Sequence, residues 1–103
     1  MLNKLDIEQT QDANTITLKL KGALTTSTES ALQQAMDQAI QGTETLVIDV
    51  GELEYISSIG MRLFLAAQKR LGHKDRLIIR NVQGATRETF KETGFIKFLH
   101  IEE

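Results

Sequence analysis

Residues 46–50, with the sequence Leu-Val-Ile-Asp-Val, form the apolar, β-branched run that most constrains how this chain folds. Such a run is typical of a strand that is covered on both faces, as in a parallel sheet. From Gly60 onward apolar residues recur at helical spacing, and residues 51–56 between the two patterns are expected to form a loop. The sequence therefore predicts a strand, a loop and a helix, with Ser57 and Ser58 at the start of the helix.

The two serines are expected to differ in their roles. Ser57 is the expected N-cap, since a serine oxygen accepts an unpaired amide hydrogen bond of the first turn, and Ser58 is then the first helical residue. At 3.6 residues per turn, the core stripe consists of Gly60, Leu63, Phe64, Ala67 and Leu71. The residues nearly opposite this stripe are Ser58, Met61, Arg62, Leu65 and Lys69. Because a face needed only for solubility seldom carries two large apolar side chains, we expect a docking surface with a modifiable serine at its edge.

Each of these residues also has a plainer interpretation. A serine at a helix start is most often only a cap, worth about 1 kcal/mol, which accounts for Ser57 but not for Ser58. Met61 and Leu65 are alternatively buried beneath the C-terminal segment of the chain. Arg62 and Lys69 are alternatively ordinary solvated charges.

Composition narrows the classes of protein to consider. With 103 residues, 41% of them hydrophobic, the chain is expected to form one domain over residues 1–103. The net charge of −2 with interspersed signs argues against nucleic-acid binding. The absence of cysteine excludes disulfides and thiolate sites, and the lack of a signal peptide or a membrane-length apolar run predicts a cytoplasmic protein without membrane insertion.

The remaining patterns predict an α/β fold. Two strands are expected on either side of a turn at residues 12–14, and a further strand is expected at 77–79. Helices are expected at 58–71 and at 85–93, the second of which ends at Gly94. An earlier helix begins with the capping-box spacing of Thr26 and Glu29 and ends at Gly42. The apolar tail, residues 95–101, packs either as a helical turn or as a last strand. This order predicts a mixed sheet, in which an antiparallel N-terminal hairpin is followed by right-handed β-α units with the helices packed on the sheet.

Signatures of enzyme activity are missing from the sequence. His73 and His100 belong to no HExxH pattern and are expected to be surface residues, so no metal site is predicted. No glycine-rich phosphate loop and no GxSxG elbow is present, so neither a nucleotide cofactor nor a catalytic serine is expected. Asp49 near a strand end is interpreted as a structural hydrogen-bonding partner. An enzyme that uses Asp49 with Ser58 is the least favoured hypothesis.

Several motifs, in order along nearly the whole chain, resemble a known family. They are Gly22-Ala23-Leu24 before the first helix, the run at 46–50, Tyr55-Ile56-Ser57-Ser58-Ile59-Gly60-Met61-Arg62 and Thr93-Gly94-Phe95. Together they resemble the STAS domain of bacterial anti-sigma factor antagonists. The most specific part is the Ser-x-Gly-apolar segment that opens the second helix.

The resemblance implies a non-enzymatic protein that switches between partners. In this family the unmodified antagonist binds an anti-sigma factor, often a serine kinase of the GHKL type, and so frees the sigma factor for transcription. Phosphorylation of a serine prevents that binding, and a PP2C-like phosphatase restores it. Matched on Gly60 and Met61, the phosphoacceptor falls on Ser58, with Ser57 as the second candidate.

Two positions depart from the pattern of the family. Ser57 replaces the acid that often precedes the phosphoacceptor, and Thr25 replaces the acid common after Gly-x-Leu; both positions border the expected partner surface. STAS-like domains also occur as accessory subunits of transport systems, where they stabilise an ATPase without a phosphorylation cycle. That function is the main alternative to partner switching.

Overall fold

The computed structural model describes residues 4–102, which contain five strands, three α-helices and two short 3-10 helices. In chain order these are β1 (Leu5–Asp12), β2 (Thr15–Leu24), α1 (Glu29–Gln41), β3 (Thr45–Ile56), α2 (Ser58–Leu71), a 3-10 helix (Lys74–Arg76), β4 (Leu77–Arg80), α3 (Gly84–Thr93), a second 3-10 helix (Phe95–Lys97) and β5 (His100–Glu102). Residues 1–3 and 103 lie outside the described part. The expectations that the chain lacks a signal peptide and forms one domain over 1–103 therefore stay predictions.

The five strands form one mixed sheet in the order β1-β2-β3-β4-β5. β1 and β2 are an antiparallel hairpin, whereas β2, β3, β4 and β5 are parallel neighbours. The antiparallel edge and the parallel remainder confirm the predicted architecture. Because the strands are joined in spatial order by helical crossovers, a single hand for these connections places the helices on one face of the sheet.

Burial along the strands identifies the face that the helices cover. On β2, Ile16, Leu18 and Leu20 are buried and belong to the core cluster that α1 and α2 complete. The alternating β2 residues Thr15, Thr17, Lys19 and Lys21 are exposed or half-buried. A strand whose alternate residues differ in this way is covered on one side only. The sheet therefore has one covered face and one open face.

Three of the predicted boundaries need correction or completion. β3 extends to Ile56, because the expected loop at 51–56 pairs with the second half of β2, from Lys21↔Glu52 to Leu24↔Ile56. α1 begins at Glu29 with Thr28 at the N-cap position, so the predicted Thr26 capping box is wrong. The Thr28 hydroxyl instead donates to the Ala23 carbonyl (2.8 Å), which closes the turn between β2 and α1. The tail forms both a helical turn and a strand.

Candidate functional site

The carboxyl ends of β2 and β3 bring the predicted phosphoacceptor region and Thr25 to the same edge of the sheet. Leu24 and Ile56 are the last paired residues of these two parallel strands. The Ser57 amide then donates to the Leu24 carbonyl (2.9 Å), which holds the start of α2 beside the β2–α1 turn. Thr25 is half-buried in that turn, where its own amide donates to the Thr28 hydroxyl (2.9 Å). The site is thus built from two neighbouring strand ends.

Ser57 is the N-cap of α2, as predicted. Its backbone is extended (φ −83°, ψ 160°), and its hydroxyl oxygen accepts a hydrogen bond from the Gly60 amide (3.0 Å). The Ser57 side chain is half-buried. Its hydroxyl therefore already has a structural role at the helix end.

Ser58 is the first residue of α2 and is exposed, which agrees with its predicted position opposite the core stripe. No residue in the range 4–102 forms a hydrogen bond with its hydroxyl. The two adjacent serines therefore differ in accessibility. Of the two hydroxyls, that of Ser58 has no partner within residues 4–102, whereas that of Ser57 caps the helix.

Gly60 allows α2 to approach β2 closely. A Cβ atom at Gly60 would lie 2.7 Å from Leu24 Cγ and 2.8 Å from Leu24 Cδ2. Leu24 is fully buried, so it has little room to move away. Glycine is the residue that fits this contact, and the contact fixes the first turn of α2 against the end of β2.

Met61 does not lie on the exposed face, so its predicted place in the docking surface is wrong. Its side chain is fully buried in the core, and its sulfur lies 3.3 Å from the hydroxyl oxygen of Thr93 at the end of α3. The segment that covers Met61 therefore comes from later in the chain, which was the plainer interpretation. A helical wheel of α2 alone carries no information about α3.

The other members of the predicted surface differ in exposure. Arg62 and Lys69 are exposed, whereas Leu65 is half-buried and packs against the core. Leu65 therefore contributes only part of its side chain to the surface. With Met61 buried and Leu65 only half exposed, the exposed face of α2 is more polar than the sequence predicted.

Two exposed apolar side chains that the helical pattern did not indicate lie within three residues of Ser58 in the chain. Ile59 is 44% exposed, and Tyr55, near the end of β3, is 45% exposed. On the helical wheel Ile59 and Met61 lie about 100° to either side of Gly60, so either of them could have been the exposed residue. The wheel alone did not distinguish them; the packing of α3 buries Met61 and leaves Ile59 in solvent. Tyr55 was hidden by its assignment to a loop.

Other polar groups have structural roles or lie away from Ser58. One Asp49 carboxylate oxygen accepts from the Gly51 amide (2.9 Å) and from Asn81 Nδ2 (3.0 Å), which confirms the interpretation of Asp49 as a structural partner. His73 is exposed, but His100 is half-buried with its Nδ1 3.0 Å from Asp75 Oδ1, so only His73 is fully a surface residue. Within residues 4–102, no cluster of three metal-ligating side chains forms. No helix in that range has both the length and the apolar character to span a membrane.

Comparison with known proteins gives matches along almost the whole chain. A protein-family model described as "Mlab, STAS domain" matches residues 7–100. The anti-sigma-B factor antagonist of Staphylococcus aureus strain NCTC 8325 is 28% identical over 101 residues, which cover 96% of this chain and 94% of that protein.

Solved structures share the fold. An anti-sigma factor antagonist from Mycobacterium paratuberculosis matches with a TM-score of 0.87 at 22% identity, covering 96% of this chain and 86% of that one. The Bacillus cell fate determinant SpoIIAA in its phosphorylated form matches with a TM-score of 0.71 at 19% identity, covering 95% and 92%. At these identities the structural matches show the fold alone. Together with the family model, they confirm the resemblance drawn from the motifs.

Proposed function

The chain belongs to the STAS domain family, and on this premise we propose that it is an anti-sigma factor antagonist that switches partners through Ser58. In the unmodified state it binds an anti-sigma factor, often itself a serine kinase of the GHKL type, and releases the sigma factor. The kinase transfers the γ-phosphoryl group of ATP to Ser58 Oγ, the hydroxyl proton is released and ADP leaves. A PP2C-like phosphatase hydrolyses the phosphoserine and restores binding. The proposed location is the cytoplasm, without nucleic-acid binding by this chain.

The observation that carries this proposal is the difference between the two serines. Ser58 is exposed and its hydroxyl is free among residues 4–102, whereas the Ser57 oxygen caps α2 at 3.0 Å from the Gly60 amide. The Ser57 side chain is also half-buried, so its hydroxyl is less accessible to a kinase than that of Ser58. We therefore keep Ser58 as the acceptor and Ser57 as the second candidate.

The proposed partner surface surrounds Ser58. It combines Thr25 and Ser57 at the strand ends with the exposed Arg62 and Lys69 and the half-buried Leu65 of α2. Ile59 and Tyr55 replace Met61 as its apolar members, because both are nearly half exposed while Met61 is fully buried. Exposed apolar side chains beside a polar rim are common at protein interfaces.

The proposed switch acts at the interface with little refolding. A phosphoryl group adds a charge of about −1.5 to −2. At the first turn of a helix this charge stabilises by about 0.3–1 kcal/mol, so the fold should survive. Burying this charge against apolar groups such as Ile59 costs several kcal/mol, which corresponds to orders of magnitude in affinity.

An accessory subunit of a transport system, binding an ATPase without phosphorylation, is the second candidate function. The observation in its favour is that Ser57 and Thr25 occupy positions where antagonists often carry acids, so the charge around Ser58 is less typical. The genes next to the one that encodes this protein would distinguish the partner switch from the transport function. A GHKL-type kinase and a PP2C-type phosphatase favour the switch, whereas permease and ATPase genes favour transport.

The test is a measurement of intact mass after incubation with Mg-ATP and a lysate of the source organism with demonstrated kinase activity. The wild type, Ser58→Ala and Ser57→Ala are compared, and the phosphate is located by fragmentation. We expect an adduct on the wild type and on Ser57→Ala that is absent from Ser58→Ala. An adduct lost only in Ser57→Ala would move the site, and no adduct in any sample would reject the phosphorylation switch and favour the transport function.

A further inference from the structure

Arg62 differs from the other arginines of the chain. Arg70 pairs with Asp37, Arg80 pairs with Glu102 through its Nε (2.7 Å), and Arg76 donates to the Leu71 carbonyl (3.2 Å). Arg87 also has an interaction partner. Arg62 is exposed and has no ion pair or hydrogen bond from its side chain among residues 4–102. Its charge is therefore available for a group that the unmodified chain does not carry.

Ser58 and Arg62 lie one helical turn apart on the exposed face of α2. Residues four apart on a helix have their Cβ atoms about 5–6 Å from each other, within reach of a guanidinium group. An anion that precedes a cation by four residues has the more favourable of the two orders. A phosphate on Ser58 would thus meet Arg62 without any change in the backbone.

No acid near Ser58 already occupies Arg62. The first turn of α2 contains no acidic residue. Glu54, the nearest acid before Ser58 in the chain, lines a groove on the open face of the sheet with Lys4, Lys21 and Glu52. Because α2 contains no Asp or Glu, the phosphate would be the first anion carried by this helix.

We propose that phosphoserine 58 pairs with Arg62 of the same helix, so that Arg62 is free in the unmodified protein and bound in the phosphorylated one. Arginine suits this role because its planar guanidinium forms two parallel hydrogen bonds with a phosphate. The inference rests on the proposed phosphorylation of Ser58 and extends it. Modification would then alter the partner surface twice, by adding a negative charge and by withdrawing the positive charge of Arg62.

The experiment installs phosphoserine at position 58 during synthesis, so no kinase is needed. The second pKa of the phosphate, ordinarily about 6, is measured by phosphorus NMR as a function of pH. The proteins compared are the phosphorylated wild type, Arg62→Gln, Arg62→Lys and Lys69→Gln. Lys69→Gln is the matched control, because it removes the same charge from the same face of the helix. Lys69 lies about 16 Å along the helix axis from the phosphate at position 58, beyond the Debye length of about 8 Å at physiological salt.

A pair with Arg62 stabilises the dianion and lowers its pKa. We expect Arg62→Gln to raise the second pKa of the phosphate by about 0.2–0.4 unit, which is the size of an exposed pair at this spacing. Arg62→Lys should retain part of the lowering, and Lys69→Gln should leave the pKa unchanged. Equal pKa values for the wild type and Arg62→Gln, or equal shifts for Arg62→Gln and Lys69→Gln, would overturn the proposal.

This result is separate from the test of the proposed function. A chain that no kinase modifies in the cell would still show the pKa difference, because the phosphate is installed synthetically. Conversely, an absent pKa difference leaves a mass adduct on Ser58 unaffected. The two proposals therefore fail independently.

Discussion

At the scale of single residues, the backbone makes two identical side chains unequal. Ser57 is extended, so its hydroxyl turns back to the Gly60 amide, whereas Ser58 is the first residue with helical geometry and its hydroxyl faces solvent. An N-cap serine contributes about 1 kcal/mol to the helix. The Ser57 oxygen is therefore already engaged with the backbone of the helix, while the Ser58 oxygen can be modified without touching the cap. This asymmetry was predictable from the helix start alone.

The glycine after Ile59 provides a test at the same scale. We expect Gly60→Ala to destabilise the protein by about 1–3 kcal/mol, because the new Cβ would lie within 3 Å of the buried Leu24 side chain. The matched control is Gly42→Ala at the end of α1, where nothing lies within 4 Å and φ is an ordinary −118°. Urea unfolding of both variants measures the difference. Stability unchanged in Gly60→Ala would show that α2 does not depend on this close approach.

At the scale of elements, periodicity predicted α2 well but not what covers each of its sides. The helix begins at Ser58 and ends at Leu71, and Gly72 after it has a left-handed backbone (φ 82°). Local signals account for these bounds: a serine cap, an apolar repeat and a glycine stop. The burial of Met61 instead depends on α3, which begins 23 residues later in the chain than Met61. The positions of Ser57 and Ser58 were therefore predicted correctly, because they depend on α2 alone. The exposure of Met61 was predicted wrongly, because it depends on tertiary packing against α3.

The β3 boundary has a similar explanation. Residues 51–56 contain alternating acids and a glycine, which locally indicate a loop. They form a strand because the second half of β2 offers them a parallel partner, with irregular register between Lys19 and Lys21 and between Gly22 and Ala23. Pairing between distant segments leaves little trace in a local pattern, and the bulges interrupt the alternation that would reveal it.

Ile59 and Met61 form a matched pair for a prediction about α2. We expect Met61→Ala to cost about 2–5 kcal/mol of stability, because it leaves a cavity in the core beneath α3. Ile59→Ala should change stability by less than about 0.5 kcal/mol and lower affinity for the anti-sigma partner about 10-fold or more. Urea unfolding and calorimetric titration measure the two effects. Unchanged affinity in Ile59→Ala would remove Ile59 from the partner surface.

At the scale of the whole molecule, the open face of the sheet carries a row of alternating charges. The row crosses all five strands through the paired positions Glu8, Lys19, Asp49, Arg80 and Glu102. Among the described residues, Arg80 and Glu102 are the neighbours in this row that form an ion pair, while Lys19 pairs with Glu52 instead (3.6 Å). Because this row is charged, the open face can remain in solvent without a helix layer. Val47, which lies opposite Thr17 and Ile78 on the same face, is nevertheless buried.

The last pair of this row makes the stability of the sheet depend on pH. Arg80 donates from Nε to Glu102 Oε1 (2.7 Å) and from Nη2 to Oε2 (3.4 Å), which joins the short strand β5 to β4. These hydrogen bonds, together with the charge of Arg80, hold the pKa of Glu102 below its usual value of 4.5. Because the pKa is lowered by folding, the contribution of the pair is fully present above about pH 4.5. It is lost as the pH falls through the pKa of the folded protein.

We therefore expect Glu102→Gln to destabilise the protein at pH 7 and to have no effect at a pH below the lowered pKa of Glu102, where the wild-type carboxyl is also neutral. Glu8→Gln is the matched control, since Glu8 ends the same row on β1 and forms no ion pair with any residue in the range 4–102. Urea unfolding across this pH range, with carbon NMR of the Glu102 carboxyl, gives both quantities. A difference between wild type and Glu102→Gln that persists at low pH would arise from shape or hydrogen bonding, because the charge of Glu102 is then absent. A Glu102 pKa at or above the ordinary value would mean that β5 is not held to β4 by this ion pair.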